Sequence, residues 1–280
     1  MNEVRYSLVN LVRVAQSFPA TPRIMARLGG LLRDPNAALE EIAAQLKHDS
    51  SLAARLLRIA NSAAFAQSEP VISIEDATAL IGLQDVHRLV GAVAVDQFSV
   101  RSYPLYGFSG PRLRDNAILV ALLMEELALP SREDPATAYV TGLFRSLGKL
   151  ALAKITDENA PVAPFRPADG LPLVGWEKQT FGLASNQATA AILEEWHFPG
   201  GVTRAIMEHY APSHPGHPLA CLLHLAAHLA DQLGYGLPGE SSYWYDPSHL
   251  SRATGLNPLQ LQQASSRSLT AFDRINGALA

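Results

Sequence analysis

RLLRIANSAAF, residues 55–65, lies at the centre of a run of short helical segments. Ser50 or Ser51 can cap its start, so the helix reads over 50–62. Asn61 follows that helix and precedes a turn. Asparagine tolerates left-handed backbone geometry and bonds nearby backbone groups, so a structural role is expected, with a ligand contact as the alternative. Upstream, ALEEIAAQLKHD (38–49) faces Leu39, Ile42, Ala43 and Leu46 inward. Before it, Thr21 caps and Pro22 opens a segment that runs to Arg33 and is broken by Asp34-Pro35. The first stripe is Val4, Leu8, Leu11 and Ala15, ended by Phe18-Pro19. Downstream, Ser73 and Asp76 have the spacing of a capping box. Gly82 stands where a helix ends, and a second helix covers Gln84 to Val95.

The rest of the chain is also helical in period, and strand signals are weak. RSYPLYGFSGP (101–111) is a Pro/Gly/aromatic connector and the candidate boundary. Residues 113–129 form a strong helix and ATAYVTGLFRSLGKLALAKI (136–155) another. Residues 156–175 hold four prolines and no period, and a loop of that length is functional or mobile. Helices follow near 176–196, 200–210, 218–233 and 258–276. The expectation is an all-α protein of two packed lobes, 1–105 and 106–280. No internal repeat or low-complexity tract interrupts it.

Composition narrows the function. Of 280 residues, 48% are hydrophobic and 17% charged, which fits a well-buried globular chain. The net charge of −4 argues against a general nucleic-acid binder, which needs a basic surface. Cys221 is the only cysteine, so no internal disulfide forms, and it reads as a small buried hydrophobe. No uncharged apolar run reaches the roughly 18 residues of a membrane span. The start carries Glu3, Arg5 and Arg13 and lacks the form of a signal peptide. A cytoplasmic protein, away from membranes, is the expectation.

The first half closely resembles the HDOD family, bacterial all-helical signalling modules related to the HD phosphohydrolases. Pro19, Pro22, Asp49, Leu52, Arg55-Leu56-Leu57, Ala60-Asn61-Ser62-Ala63, Phe65, Ile74, Ala77 and Ile81-Gly82-Leu83 carry the resemblance. It covers about residues 15–235, and the stretch 55–65 is its most specific part. Ser50 departs from it, because the family usually has proline there. The resemblance implies an HD-like helical bundle for the second lobe.

HD hydrolases hold divalent metals with histidine and aspartate, and a bound metal lowers the pKa of a water. Where the resemblance places the adjacent His-Asp pair, this chain reads GLFRSLGKL, with Arg145 and Ser146. A guanidinium is a permanently protonated donor and cannot ligate a cation. Asn116 stands at the first histidine position and Ser185 at a later one. Ala227 stands at the last aspartate position, with Asp231 one turn on. His209 alone survives of the wider set, followed by Tyr210 where a second histidine is frequent. The resemblance therefore implies a degenerate, non-catalytic member without metal or cofactor. LGYGLPG (233–239) has a superficial likeness to the GYP tripeptide of cyclic-di-GMP phosphodiesterases, but in the wrong order, and reads as a helix-ending turn.

Other clusters carry alternatives. His224, His228 and Asp231 share one helical face at i, i+4 and i+7. They read as hydrogen-bonded core groups or, with His209, as a rearranged metal site of a residual phosphohydrolase. His214 and His217 lie in a Pro-rich turn facing solvent. Trp176, Trp196 and Trp244 read as core or interface anchors. YWYDPSHL (243–250) either caps the core or presents a partner surface. Arg145 and Lys149, four residues apart, point to the former metal pocket. They either pair with an internal carboxylate such as Glu177 or hold an exogenous anion such as a nucleotide phosphate. The candidate ligand pocket is thus Asn116, Arg145, Ser146, Lys149, Ser185 and His209. The expected function is a regulatory signalling module that binds a protein partner, or a nucleotide.

Overall fold

Several helix ends among the described residues are set by capping side chains, such as Asp49, Ser73 and Asp134, or by positive-φ glycines, such as Gly82 and Gly182. The computed structural model describes residues 8–18, 21–33, 38–62, 69–158, 162–212, 217–244 and 248–279. Among these the regular elements are all helical, apart from an isolated bridge between Tyr103 and Phe108. The fold is all-α. The first six helices are α1 (Leu8–Ser17), α2 (Thr21–Arg33), α3 (Leu39–Lys47), α4 (Ser50–Ala60), α5 (Ile74–Ile81) and α6 (Leu83–Asp96). Ile42, Ala43 and Leu46 are buried as the periodicity requires. Ser73 caps α5, accepting the Asp76 N–H at 3.0 Å, and Gly82 ends it at φ +85. The cap of α4 is Asp49, not Ser50 or Ser51: its carboxylate accepts the Leu52 N–H at 3.0 Å. A carboxylate one residue earlier satisfies the same orphan donors and also suits the helix dipole.

Asn61 has φ −89°, so left-handed geometry is not its contribution. Its side chain donates to Leu57 O and Val71 O and accepts the Val71 N–H, each at 2.8 Å. It therefore clamps the end of α4 to the chain entering α5. Pro19, Ala63 and Phe65, the Asp34-Pro35 break and His214 lie outside the described residues.

The second half holds α7 (Gly110–Ala128), α8 (Pro135–Phe144), α9 (Leu147–Asp157), α10 (Leu173–Phe181), α11 (Ser185–Glu195), α12 (Gly200–Glu208), α13 (Pro218–Ala230), α14 (Ser248–Thr254) and α15 (Pro258–Leu279). α7 is buried on nearly every side from Asn116 to Met124, and it packs against α6, α8, α13 and α15. A helix apolar all round belongs at the centre of a core. Gly142 lets α8 approach α7 closely: a Cβ there would lie 2.9 Å from Ala121 Cα. α1 packs on α9 and α11, and α2 on α6 and α8. Most buried apolar side chains form one continuous cluster from Leu11 to Ile275, and Tyr210, Ala227 and Trp244 form a second, smaller one.

Three expected helices are interrupted. The segment 136–155 breaks between α8 and α9. The segment 176–196 breaks at Gly182, φ +80. The segment 218–233 stops at Ala230 and passes into a wide turn, Asp231–Tyr235, with Gly234 at φ +87. In the Pro-rich loop, Phe165 is buried, and its N–H donates to Leu105 O at 2.8 Å. Among the described residues no single helix is long and apolar enough to cross a membrane.

Candidate functional site

The break at Arg145-Ser146 has an identifiable cause. Thr189 of α11 inserts its hydroxyl into the backbone ladder. Its Oγ1 accepts the Gly148 N–H at 2.8 Å and shares its one proton between Ser185 O at 2.9 Å and Arg145 O at 3.1 Å. A side chain occupying the i to i−4 ladder kinks a helix. Gly148 is required there, since a Cβ would fall 1.9 Å from Ser185 O. Arg145 thus closes α8 while Lys149 lies in the first turn of α9, and both still reach one point.

That point is Glu240. Arg145 holds it in a two-bond fork, Nη1 to Oε1 at 3.1 Å and Nη2 to Oε2 at 2.8 Å. Lys149 Nζ donates to Oε1 and, at 3.0 Å, to Tyr210 Oη. Tyr210 Oη in turn donates to Oε1 at 2.8 Å. Arg145 Nη2 also donates to Asn116 Oδ1 at 2.8 Å, and Asn116 Nδ2 donates to Tyr235 O at 2.7 Å. All five side chains are buried. Burial alone would push the Glu240 carboxyl up, but Arg145 and Lys149 outweigh it and hold it far below the usual range. Burial likewise opposes the Arg145 charge, and Glu240 restores it. Tyr210 is pushed up, chiefly by burial and then by Glu240.

The sequence placed Arg145 and Lys149 together correctly but named the wrong acid. Glu177 does not pair with Arg145. It accepts the Ser185 N–H at 2.8 Å, and its carboxyl is pushed up by burial, opposed by nearby Lys149. Glu240 stands in GLPGE (236–240), in a turn without periodicity, so no helical register points to it. The only sequence signal was the pair of cations in an apolar helix, which demands a buried acid from somewhere. Thr189 left no sequence signal beyond a polar residue on an apolar face.

The remaining predicted residues lie around this cluster. Ser146 precedes α9, and its buried hydroxyl has no hydrogen-bond partner among the described residues. His209 Nδ1 bonds Ile206 O at 2.7 Å, which makes Nδ1 the protonated nitrogen. Burial first, then Arg145, lowers its pKa to about 3, so the ring is neutral. His224 Nδ1 bonds His209 O at 2.9 Å, and its ring stands edge-on to Trp244. Trp244 also stacks on Tyr210, and Trp196 is buried too, while Trp176 is half-buried. His217 is partly exposed and lies beside Arg204, 3.0 Å from its Nη1.

These residues do not fit a metal. Arg145 and Ser146 stand where the resemblance implies a His-Asp pair, and the Arg145 guanidinium takes the Glu240 carboxylate. Among the described residues no three His, Cys, Asp or Glu side chains are grouped to hold a metal ion.

Comparison with known proteins places the chain. In solved structures, the fold resembles an HDOD domain protein of unknown function from Geobacter sulfurreducens, with TM-score 0.69, 20% identity, and 96% and 97% of the two chains covered. A protein of Shewanella amazonensis SB2B provisionally named a phosphohydrolase gives TM-score 0.65 at 24% identity, over 97% and 98%. One from Marinobacter aquaeolei VT8, provisionally named a signal transduction protein, gives 0.66 at 22% identity, over 94% of this chain and 58% of that one. An uncharacterized Treponema pallidum (strain Nichols) protein is 23% identical over 236 residues, 83% of this chain and 45% of the relative. The chain thus spans less than half the length of that curated relative. A family model described as the HDOD domain matches residues 18–212, most of the chain, and the chain therefore belongs to the HDOD family.

Proposed function

We propose that this chain is a non-catalytic regulatory module of bacterial signal transduction, acting in the cytoplasm. It binds a protein partner, or a nucleotide, and passes that state on through helix packing. One observation carries the reading: Arg145, at a position where the resemblance implies a metal-ligating histidine, is locked with Lys149 onto the buried carboxylate of Glu240. A guanidinium in place of a histidine repels the cation that metal-assisted hydrolysis requires. His209 and His224 are engaged through backbone carbonyls, which supports a packing role for both. The signalling name given to the Marinobacter relative agrees with the reading.

Metal analysis of the purified protein, joined to a phosphodiesterase screen, tests it. The expected result is no stoichiometric metal and no turnover. Stoichiometric metal with turnover that is lost in His224→Ala overturns it. Affinity capture from native lysate identifies the partner.

A further inference from the structure

Glu240 is delivered by a strap of chain that leaves α13 through the wide turn Asp231–Tyr235. Gly234 at φ +87 and Gly239 at φ +80 bracket the strap on either side of Pro238. Clefts lie along both flanks. One, of 480 Å3, separates Leu237, Pro238 and Ser241 from Ser109, Arg112 and Asp231. The other, of 310 Å3, separates Gly239 and Ser242 from the 165–173 stretch. The strap is thus fastened at points. Asn116 bonds Tyr235 O, and Arg112 Nε bonds Gly236 O at 2.9 Å. Leu237 and Trp244 are buried, and the Glu240 carboxylate enters the cluster.

The four donors around that carboxylate are unevenly shared, three of them falling on one oxygen. Oε1 alone receives Arg145 Nη1, Lys149 Nζ and Tyr210 Oη. A carboxylate oxygen offers about two lone-pair sites. A phosphate group has three terminal oxygens over which the same donors spread, and an arginine fork matches it. Arg145, Lys149, Asn116 and Tyr210 also lie within residues 18–212, the part matched to the family, whereas Glu240 lies beyond it.

We propose that Arg145, Lys149 and Tyr210 form a binding site for the phosphate group of a small ligand, which Glu240 occupies as an intramolecular stand-in. Ligand binding lifts the strap, which borders the 480 Å3 cleft beside Arg112. The inference rests on the non-catalytic reading above and names the ligand chemistry of that same site.

Inorganic phosphate is the probe, compared with chloride at matched ionic strength. Glu240→Ala should melt below the native protein, and millimolar phosphate should restore its melting temperature saturably. Chloride should not. Adding Arg145→Ala to Glu240→Ala should abolish the restoration. Should Glu240→Ala fail to accumulate folded, Glu240→Gln carries the test by titration calorimetry. It should bind phosphate at least tenfold more tightly than the native protein. No restoration, restoration by chloride alike, persistence in the double variant, or equal affinity in Glu240→Gln each overturns the proposal. Those failures leave the non-catalytic reading standing, whereas metal-dependent hydrolysis of a phosphodiester to a phosphomonoester and an alcohol removes that reading even where phosphate binds.

Discussion

At the scale of single residues, Glu240 and His209 tie stability to pH in separable windows. The Glu240 carboxyl titrates lower in the fold than its unfolded value of 4.5, because its cations outweigh burial. Its contribution is full above that value and is lost as pH falls further. Glu240→Gln should flatten the acid limb of a stability profile below pH 4.5, read by urea unfolding at successive pH values. His209 is a base with a depressed folded pKa, about 3 against 6.5. Between those values the unfolded chain takes a proton that the fold refuses, so stability falls as pH drops. From pH 6.5 to 5 the loss is about 2 kcal/mol at 1.4 kcal/mol per unit. His209→Gln should remove about that much of the native protein's difference between those two pH values; an unchanged difference shows that the ring protonates in the fold. Arg145→Ala removes the two-bond fork but leaves Glu240 paired with Lys149, and should cost about 1.5–3 kcal/mol in urea unfolding. The two cations were legible in the sequence because they interrupt an apolar stripe. Their acid was not, because it comes from 95 residues away on a stretch with no period.

At the scale of elements, the joint between α8 and α9 depends on α11. Thr189→Val keeps the volume but strips Gly148 N–H and Arg145 O of their partner. Unsatisfied buried backbone groups cost about 1–3 kcal/mol each, so the variant should lose roughly 2 kcal/mol or more. Thr189→Ser should recover most of it, and equal losses in the two variants would assign the effect to packing instead. Helix ends written in local chemistry were readable: Ser73, Gly82 and the burial stripe of α3 fall where the sequence puts them. Asp49 displaced the expected serine caps by one residue, because a serine and an aspartate both satisfy the same donors. The break after Phe144 had no local mark. GLFRSLGKLAL keeps its helical period across the break, and the agent that interrupts it belongs to another helix.

At the scale of the molecule, α1 and α2 share their core with α8, α9 and α11, so the halves 1–105 and 106–280 should melt together. All three tryptophans, Trp176, Trp196 and Trp244, lie in the second half, whereas far-UV circular dichroism sees every helix. Fluorescence and dichroism unfolding curves should coincide; separated midpoints would make the lobes independent units. The helical class and the course of most helices followed from periodicity, while their mutual arrangement needed long-range partners such as Thr189 and Glu240. The Arg145–Glu240 fork also has an evolutionary consequence. Replacing arginine by histidine at 145 leaves the acid with Lys149 alone, and replacing the acid first strands both cations. The second step removes about 3–5 kcal/mol, a large part of the roughly 5–15 kcal/mol that holds a domain folded. The buried pair therefore acts as a ratchet: its members cannot be exchanged for other side chains one substitution at a time without passing through a less stable intermediate.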